Sequence, residues 1–125
     1  MALLRLDHYT LRSRDMEGTR DFYDQVFGLK PGRRPNLGFH GYWLYCGAQP
    51  VIHLIPAEGE NVPADTGDLD HIAFLADDFG GMKAHFSALN LDFKVNDRPG
   101  GALRQLIVRD PNNVMIEMNF PRNNA

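Results

Sequence analysis

The sequence alternates short β-prone runs with one stripe of helical periodicity, and it does so twice. In the first half, Asp7-His8-Tyr9-Thr10-Leu11 opens as a strand. Asp15 then stands as an N-cap before the apolar stripe Met16, Phe22, Tyr23, Val26 and Phe27, and Gly28 offers a left-handed end, which predicts a helix over 16–27. Three strand-like segments follow at about 30–34, 41–46 and 51–55, divided by Pro35-Asn36 and Gly47-Ala48-Gln49-Pro50. The second half opens on Asp70-His71-Ile72-Ala73-Phe74, and Asp78 caps a helix carrying Phe79, Met82, Phe86 and Leu89. Gly80-Gly81 in its first turn weakens that helix by about 1 kcal/mol per glycine. Strands at about 92–96, 103–109 and 114–119 follow, with turns at Arg98-Pro99-Gly100-Gly101 and Asp110-Pro111-Asn112-Asn113.

The two halves are diverged copies of one unit. An offset of 63 residues superposes His8 on His71, Asp15 on Asp78 and Gly18 on Gly81, and an offset of 64 superposes His53 on Glu117. The fold class expected is α+β, with two tandem βαβββ modules: module one at about 4–56, a linker at about 57–68 rich in Gly and Pro, and module two at about 69–121. A half of about 55 residues leaves one sheet face uncovered and is marginal alone. Two such sheets facing each other give a half-barrel-like mixed sheet around a cavity, so the 125 residues read as a single domain of two modules.

Composition narrows the function. With 43% hydrophobic and 23% charged residues the chain is of the folding, globular type. A net charge of −3 supplies no basic field for a phosphate backbone, so nucleic acid is not an expected partner. The apolar runs are too short to span a membrane, and the opening Met-Ala-Leu-Leu-Arg-Leu-Asp meets charge too early for a signal peptide, so a cytoplasmic location is expected. The single cysteine, Cys46, forms no intramolecular disulfide and reads as a small buried hydrophobe.

The candidate chemistry lies at repeat-equivalent places: His8 and His71 on the first strands, His53 and Glu117 on the last. A pseudo-two-fold relation between the repeats brings all four toward one point of the cavity. Three imidazoles and one carboxylate suit a divalent ion such as Zn, Fe, Ni, Mn or Co, and are too rich in nitrogen for a dedicated Ca or Mg cage. Arg12 shares the strand face of His8, four residues away. Arg98 and Arg104 flank the Gly100-Gly101 loop and are candidates to hold an anionic substrate. In the aromatic segment 40–46, alternation places Tyr42, Leu44 and Cys46 on one face and Trp43 and Tyr45 on the other; one set lines the cavity or packs in the core, with Tyr42 the substrate-binding candidate. His40 is a candidate outer acid, and His85 reads as a surface residue.

These residues also carry a resemblance covering about Leu4 to Pro121. Asp7-His8-Tyr9-Thr10-Leu11-Arg12, Arg20-Asp21-Phe22-Tyr23 through Phe27-Gly28-Leu29, Asp70-His71-Ile72-Ala73-Phe74, and Arg109-Asp110-Pro111 through Ile116-Glu117 resemble the vicinal oxygen chelate superfamily of glyoxalases, bleomycin resistance proteins and extradiol dioxygenases. The resemblance implies a metal held by the first and last strands of both modules, on His8, His53, His71 and Glu117. It implies an enzyme that chelates adjacent oxygens of a small substrate and stabilises an enediolate or other oxyanion, a lyase or isomerase, with Glu117 or His53 as the proton acceptor. It also implies an Arg12 that anchors a substrate carboxylate, and a homodimer. Two departures stand out. His53 replaces the carboxylate usual in glyoxalase I, and Asn113 replaces the glycine that commonly closes the Asp110 turn. His8, His71 and Glu117 alone resemble the two-histidine, one-carboxylate set of an Fe(II) extradiol-type dioxygenase, the rival enzyme. A metal-free drug- or ligand-binding resistance protein is the rival of another class.

Overall fold

The computed structural model describes residues 4–57, 69 and 71–122. The chain divides into two compact units, Met1–Val62 and Pro63–Ala125. Each carries one helix and one four-stranded mixed sheet, an α+β arrangement of two βαβββ modules. The predicted linker falls, apart from Ala57, outside the described residues, as does Asp70.

In the first unit β1 (Tyr9–Ser13), α1 (Met16–Phe27), β2 (Lys30–Gly32), β3 (Tyr42–Cys46) and β4 (Gln49–Pro56) follow one another, and the sheet order is β1-β4-β3-β2. β1 runs parallel to β4 and the other pairs are antiparallel. The helix forms where the stripe predicts. The Asp15 carboxylate accepts the Gly18 N–H at 2.9 Å, and Gly28 closes the other end at φ 70°. Met16, Thr19, Tyr23 and Val26 turn inward and meet Leu11, Leu44, Ile52 and Leu54 on one sheet face.

The second unit repeats the plan with β5 (Ile72–Leu75), α2 (Phe79–Ala88), β6 (Lys94–Asn96), β7 (Leu103–Arg109) and β8 (Met115–Pro121) in the order β5-β8-β7-β6. Its core is Phe86, Leu106, Val108, Val114, Ile116, Met118 and Phe120. Within α2 only Phe86 is buried, and its ring meets Phe93 edge-on at 5.7 Å.

The repeat-matched Gly18 and Gly81 acquire a physical reason. In each helix the capping aspartate folds back over the third helical residue. A Cβ there would lie 2.1 Å from Asp15 Oδ2 at Gly18 and 2.2 Å from Asp78 Oδ2 at Gly81. The cap and the glycine are one device used twice.

The ladders also show the repeat. Tyr9 faces Ile52 in the first unit, and Ile72 faces Ile116 in the second. These are the first pairs of the two parallel ladders, so His8 and His71 stand one residue before their strands and not on them. One prediction fails: Cys46 is exposed, because it ends β3 opposite Gln49 at the Gly47 turn. His85 is exposed, on α2.

Candidate metal-ligand pairs

Strand alternation sorts the candidate residues by face. In β1 the buried Leu11 and Ser13 turn to the helix, which leaves Thr10 and Arg12 on the opposite face. In β4 the buried Ile52 and Leu54 turn to the helix, which leaves His53 on the open face with them. Trp43, opposite His53 in β3, joins that face.

The result is a column of rings. His8 stacks on His53 with centroids 3.7 Å apart and planes 12° from parallel, and Trp43 stacks on His53 at 4.1 Å and 7°. His8 Nδ1 bonds the Asp7 carboxylate at 2.6 Å, and that bond holds the Asp7 carboxyl below the usual range. An imidazole whose one nitrogen faces a carboxylate has its other nitrogen oriented and made more basic, the outer arrangement of many metal-ligating histidines. His53 Nε2 is buried and, among the described residues, has no hydrogen-bond partner. Burial, followed by the His8 ring, pushes the His53 pKa down, so the imidazole is neutral at pH 7. A neutral nitrogen with a free lone pair is what a metal ion requires.

In the second unit β8 turns Ile116, Met118 and Phe120 to the helix and leaves Glu117 and Asn119 on the open face. His71 Nε2 lies 3.3 Å from Glu117 Oε2. The Glu117 side chain is only 15% exposed, so its carboxylate is partly withdrawn from water beside one imidazole. Among the described residues no group of three or more His, Cys, Asp or Glu side chains is poised to hold a metal. What each unit presents is a pair, His8 with His53 and His71 with Glu117. The orphaned His53 nitrogen, the carboxylate-braced His8 and the His71–Glu117 contact are donor groups of the type a borderline divalent ion takes.

The substrate-binding candidates separate. Arg12 lies on the His53 face and lines a cleft of about 370 Å³ with Phe39, Ile55 and Pro56. Tyr42 lies on the helix face, where its hydroxyl donates to Glu17 at 3.2 Å and accepts from Arg20 at 2.9 Å. His40 joins this cluster through Glu17 at 3.1 Å. Arg104 lies on the helix face of its own sheet, its guanidinium 4.3 Å from the Phe79 ring, in a cleft of about 620 Å³. Tyr42 and Arg104 are thus one strand thickness away from the open faces carrying His53 and Glu117. Two residues beside the pairs are not marked as functional by the sequence pattern. For Trp43 alternation gives a face but not the contact with His53, which its cross-strand register supplies. Asp7 belonged to the repeated Asp-His motif, and adjacency to His8 was its signal.

Comparison with known proteins places these features in context. The family model described as Glyoxalase/Bleomycin resistance protein/Dioxygenase superfamily matches residues 5–118. A protein of Arabidopsis thaliana named Glyoxylase I 4 is 32% identical over 125 aligned positions, covering 94% of this chain and 71% of the relative. A glyoxalase/dioxygenase from Nostoc punctiforme has a similar fold, with a TM-score of 0.78 at 20% identity over 95% of this chain and 92% of that one. The lactoylglutathione lyase of Agrobacterium tumefaciens superposes with a TM-score of 0.67 at 23% identity, covering 93% and 92%. No described helix is long and apolar enough to cross a membrane.

Proposed function

Because the chain belongs to the Glyoxalase/Bleomycin resistance protein/Dioxygenase superfamily, we propose that it is a divalent-metal-dependent lyase or isomerase acting on a small substrate with adjacent oxygens. The donors proposed are His8, His53, His71 and Glu117. The observation that carries this reading is that each repeat sets two such side chains in contact at equivalent places, His8 on His53 at 3.7 Å and His71 against Glu117 at 3.3 Å. The name of the Arabidopsis relative supports the glyoxalase side of the family.

When bound, the ion supplies Lewis acidity to the two substrate oxygens and offsets the negative charge that develops on them. The chain does the rest. Asp7 orients His8 through its 2.6 Å bond. Trp43 packs against His53 and keeps water from one side of its ring. Glu117, partly withdrawn from solvent, is the proposed proton acceptor, and the neutral His53 is the second candidate. Arg12, on the open face, is proposed to meet a substrate carboxylate.

The test is to load chelator-stripped protein with Zn, Ni, Co or Mn and follow loss of a methylglyoxal–glutathione adduct. The account expects metal-restored turnover without oxygen consumption. Oxygen uptake and a yellow product from a catechol under ferrous loading would assign the dioxygenase chemistry instead. Ligand binding that survives both His71→Ala and Glu117→Ala would assign a metal-free binding protein.

A further inference from the structure

Three side-chain amides cross the open face of the second sheet in a line. Asn96 Nδ2 donates to Gln105 Oε1 at 2.8 Å, and Gln105 Nε2 donates to Asn119 Oδ1 at 2.9 Å. The register explains the line: Asn96 faces Gln105 in β6–β7, and Gln105 faces Asn119 in β7–β8. Amides so placed are hydrogen-bonded in series, and each bond polarises the next. The series has a direction. Every acceptor oxygen but that of the edge residue Asn96 is used, and among the described residues the Asn119 amide nitrogen at the inner end has no hydrogen-bond partner. The next strand offers none, since the residue opposite Asn119 in β5 is Leu75, 80% exposed.

That inner end lies beside the proposed metal ligand. Asn119 and Glu117 are two residues apart on the same face of β8, a separation of about 6.7 Å along a strand. We infer that Asn119, oriented by Gln105 and Asn96, is a specificity-determining residue that donates to an acceptor oxygen of the substrate, favouring ligands with a carboxylate or carbonyl about two carbons from the chelating oxygens. This rests on the proposed function, since it takes Glu117 as a metal ligand. The chemistry recognised is fixed by the direction of the amide series: the end facing the ligand presents N–H, so an oxygen with lone pairs fits and an ammonium, which carries donors only, does not. Asn119 contacts the ligand, and Gln105 is a positioning residue acting through it.

Two chelators separate this contact from metal binding. Acetohydroxamate reaches only the metal, whereas succinic acid monohydroxamate adds a carboxylate two methylenes away. With Ni-loaded wild-type protein, isothermal titration should show the succinate derivative binding about tenfold more tightly, the effect of one charge-assisted hydrogen bond. Asn119→Asp replaces the donor by a carboxylate and should erase or reverse that preference. Gln105→Glu, which never touches the ligand, removes the donor to Asn119 Oδ1 and leaves two acceptors there. The Asn119 amide then turns its nitrogen toward position 105 and its oxygen toward the ligand, and the preference should again be lost. Both variants are isosteric and should keep wild-type thermal stability; each is titrated fully loaded with nickel, so the ratio of the two chelator affinities is read and not the metal affinity itself. Equal affinities for the two chelators in the wild type, or a preference that survives either variant, would overturn the inference while leaving the metal assignment standing. Failure of the stripped wild-type protein to bind nickel at all would overturn the proposed function and this inference with it.

Discussion

The placement of Glu117 depends on a turn one strand end away, and the cost of breaking that turn can be worked out. Asp110 is 5% exposed and sits between β7 and β8. Its Oδ1 accepts the backbone N–H of Asn112 at 2.7 Å and of Val114 at 2.9 Å, and its Oδ2 meets the Asn112 amide at 3.4 Å. The main chain adds Asp110 N–H to Val114 O and Asn113 N–H to Asp110 O, both at 3.0 Å, with Asn113 at φ 67°. Hydrogen bonds to a charged acceptor contribute about 1.5–3 kcal/mol each. In Asp110→Ala the Val114 N–H is buried with no acceptor and loses the full amount, while the Asn112 N–H is half-buried and recovers part of it from water. The expected loss is about 2–4 kcal/mol, or about 8–15 °C in melting temperature for a chain of this length. Asp110→Asn keeps an acceptor oxygen and should cost about 1 kcal/mol. Urea unfolding followed by circular dichroism reads both values. An Asp110→Ala protein within about 0.5 kcal/mol of wild type, or an Asn variant as damaged as the Ala variant, would refute this role for the carboxylate.

Other expectations follow from the same geometry. Tyr42→Phe should cost about 0.5–1.5 kcal/mol through loss of the Arg20 and Glu17 contacts and leave metal affinity unchanged, because Tyr42 lies on the helix face; a fall in metal affinity on titration would place it in the site. Gly28→Ala should destabilise by about 1 kcal/mol in thermal unfolding, since Gly28 caps α1 at φ 70°; a neutral or stabilising change would contradict that. Trp43 is the single tryptophan and stacks on His53, so divalent metal added to stripped protein should change its emission. A titration in which metal binds and the emission does not move would argue against His53 as a ligand.

Much of this architecture is legible in the chain because local signals agree with the tertiary result. Helix α1 runs over Met16–Phe27 as its caps and stripe predict, and β7 matches its predicted bounds. The edge strands are shorter than expected: β2 ends at Gly32 and β6 begins at Lys94, because an edge strand is paired on one side and its limits come from the partner. Repetition located His8, His53, His71 and Glu117, and the family resemblance points to the same four. Periodicity could not decide which aromatic face of β3 meets His53. Alternation fixes that two faces exist, but only burial of Leu44 against the helix decides that Trp43 is on the open side and Tyr42 is not. Arg104 was hidden for a similar reason: a cation in a loop-flanking position gives no sign that it will stack on Phe79 behind the sheet.

The central claim, that the paired donors bind a catalytic divalent ion, is tested most directly by metal affinity in stripped, tag-free protein and in its His71→Ala and Glu117→Ala variants. Loss of an outer-shell partner alone costs metal sites about 10–100-fold in affinity, so removal of a ligand should cost about 100-fold or more. The account predicts a divalent ion bound by the wild-type chain and a loss of that size in both variants. No ion bound by the wild type, or an affinity that neither substitution changes, would contradict it.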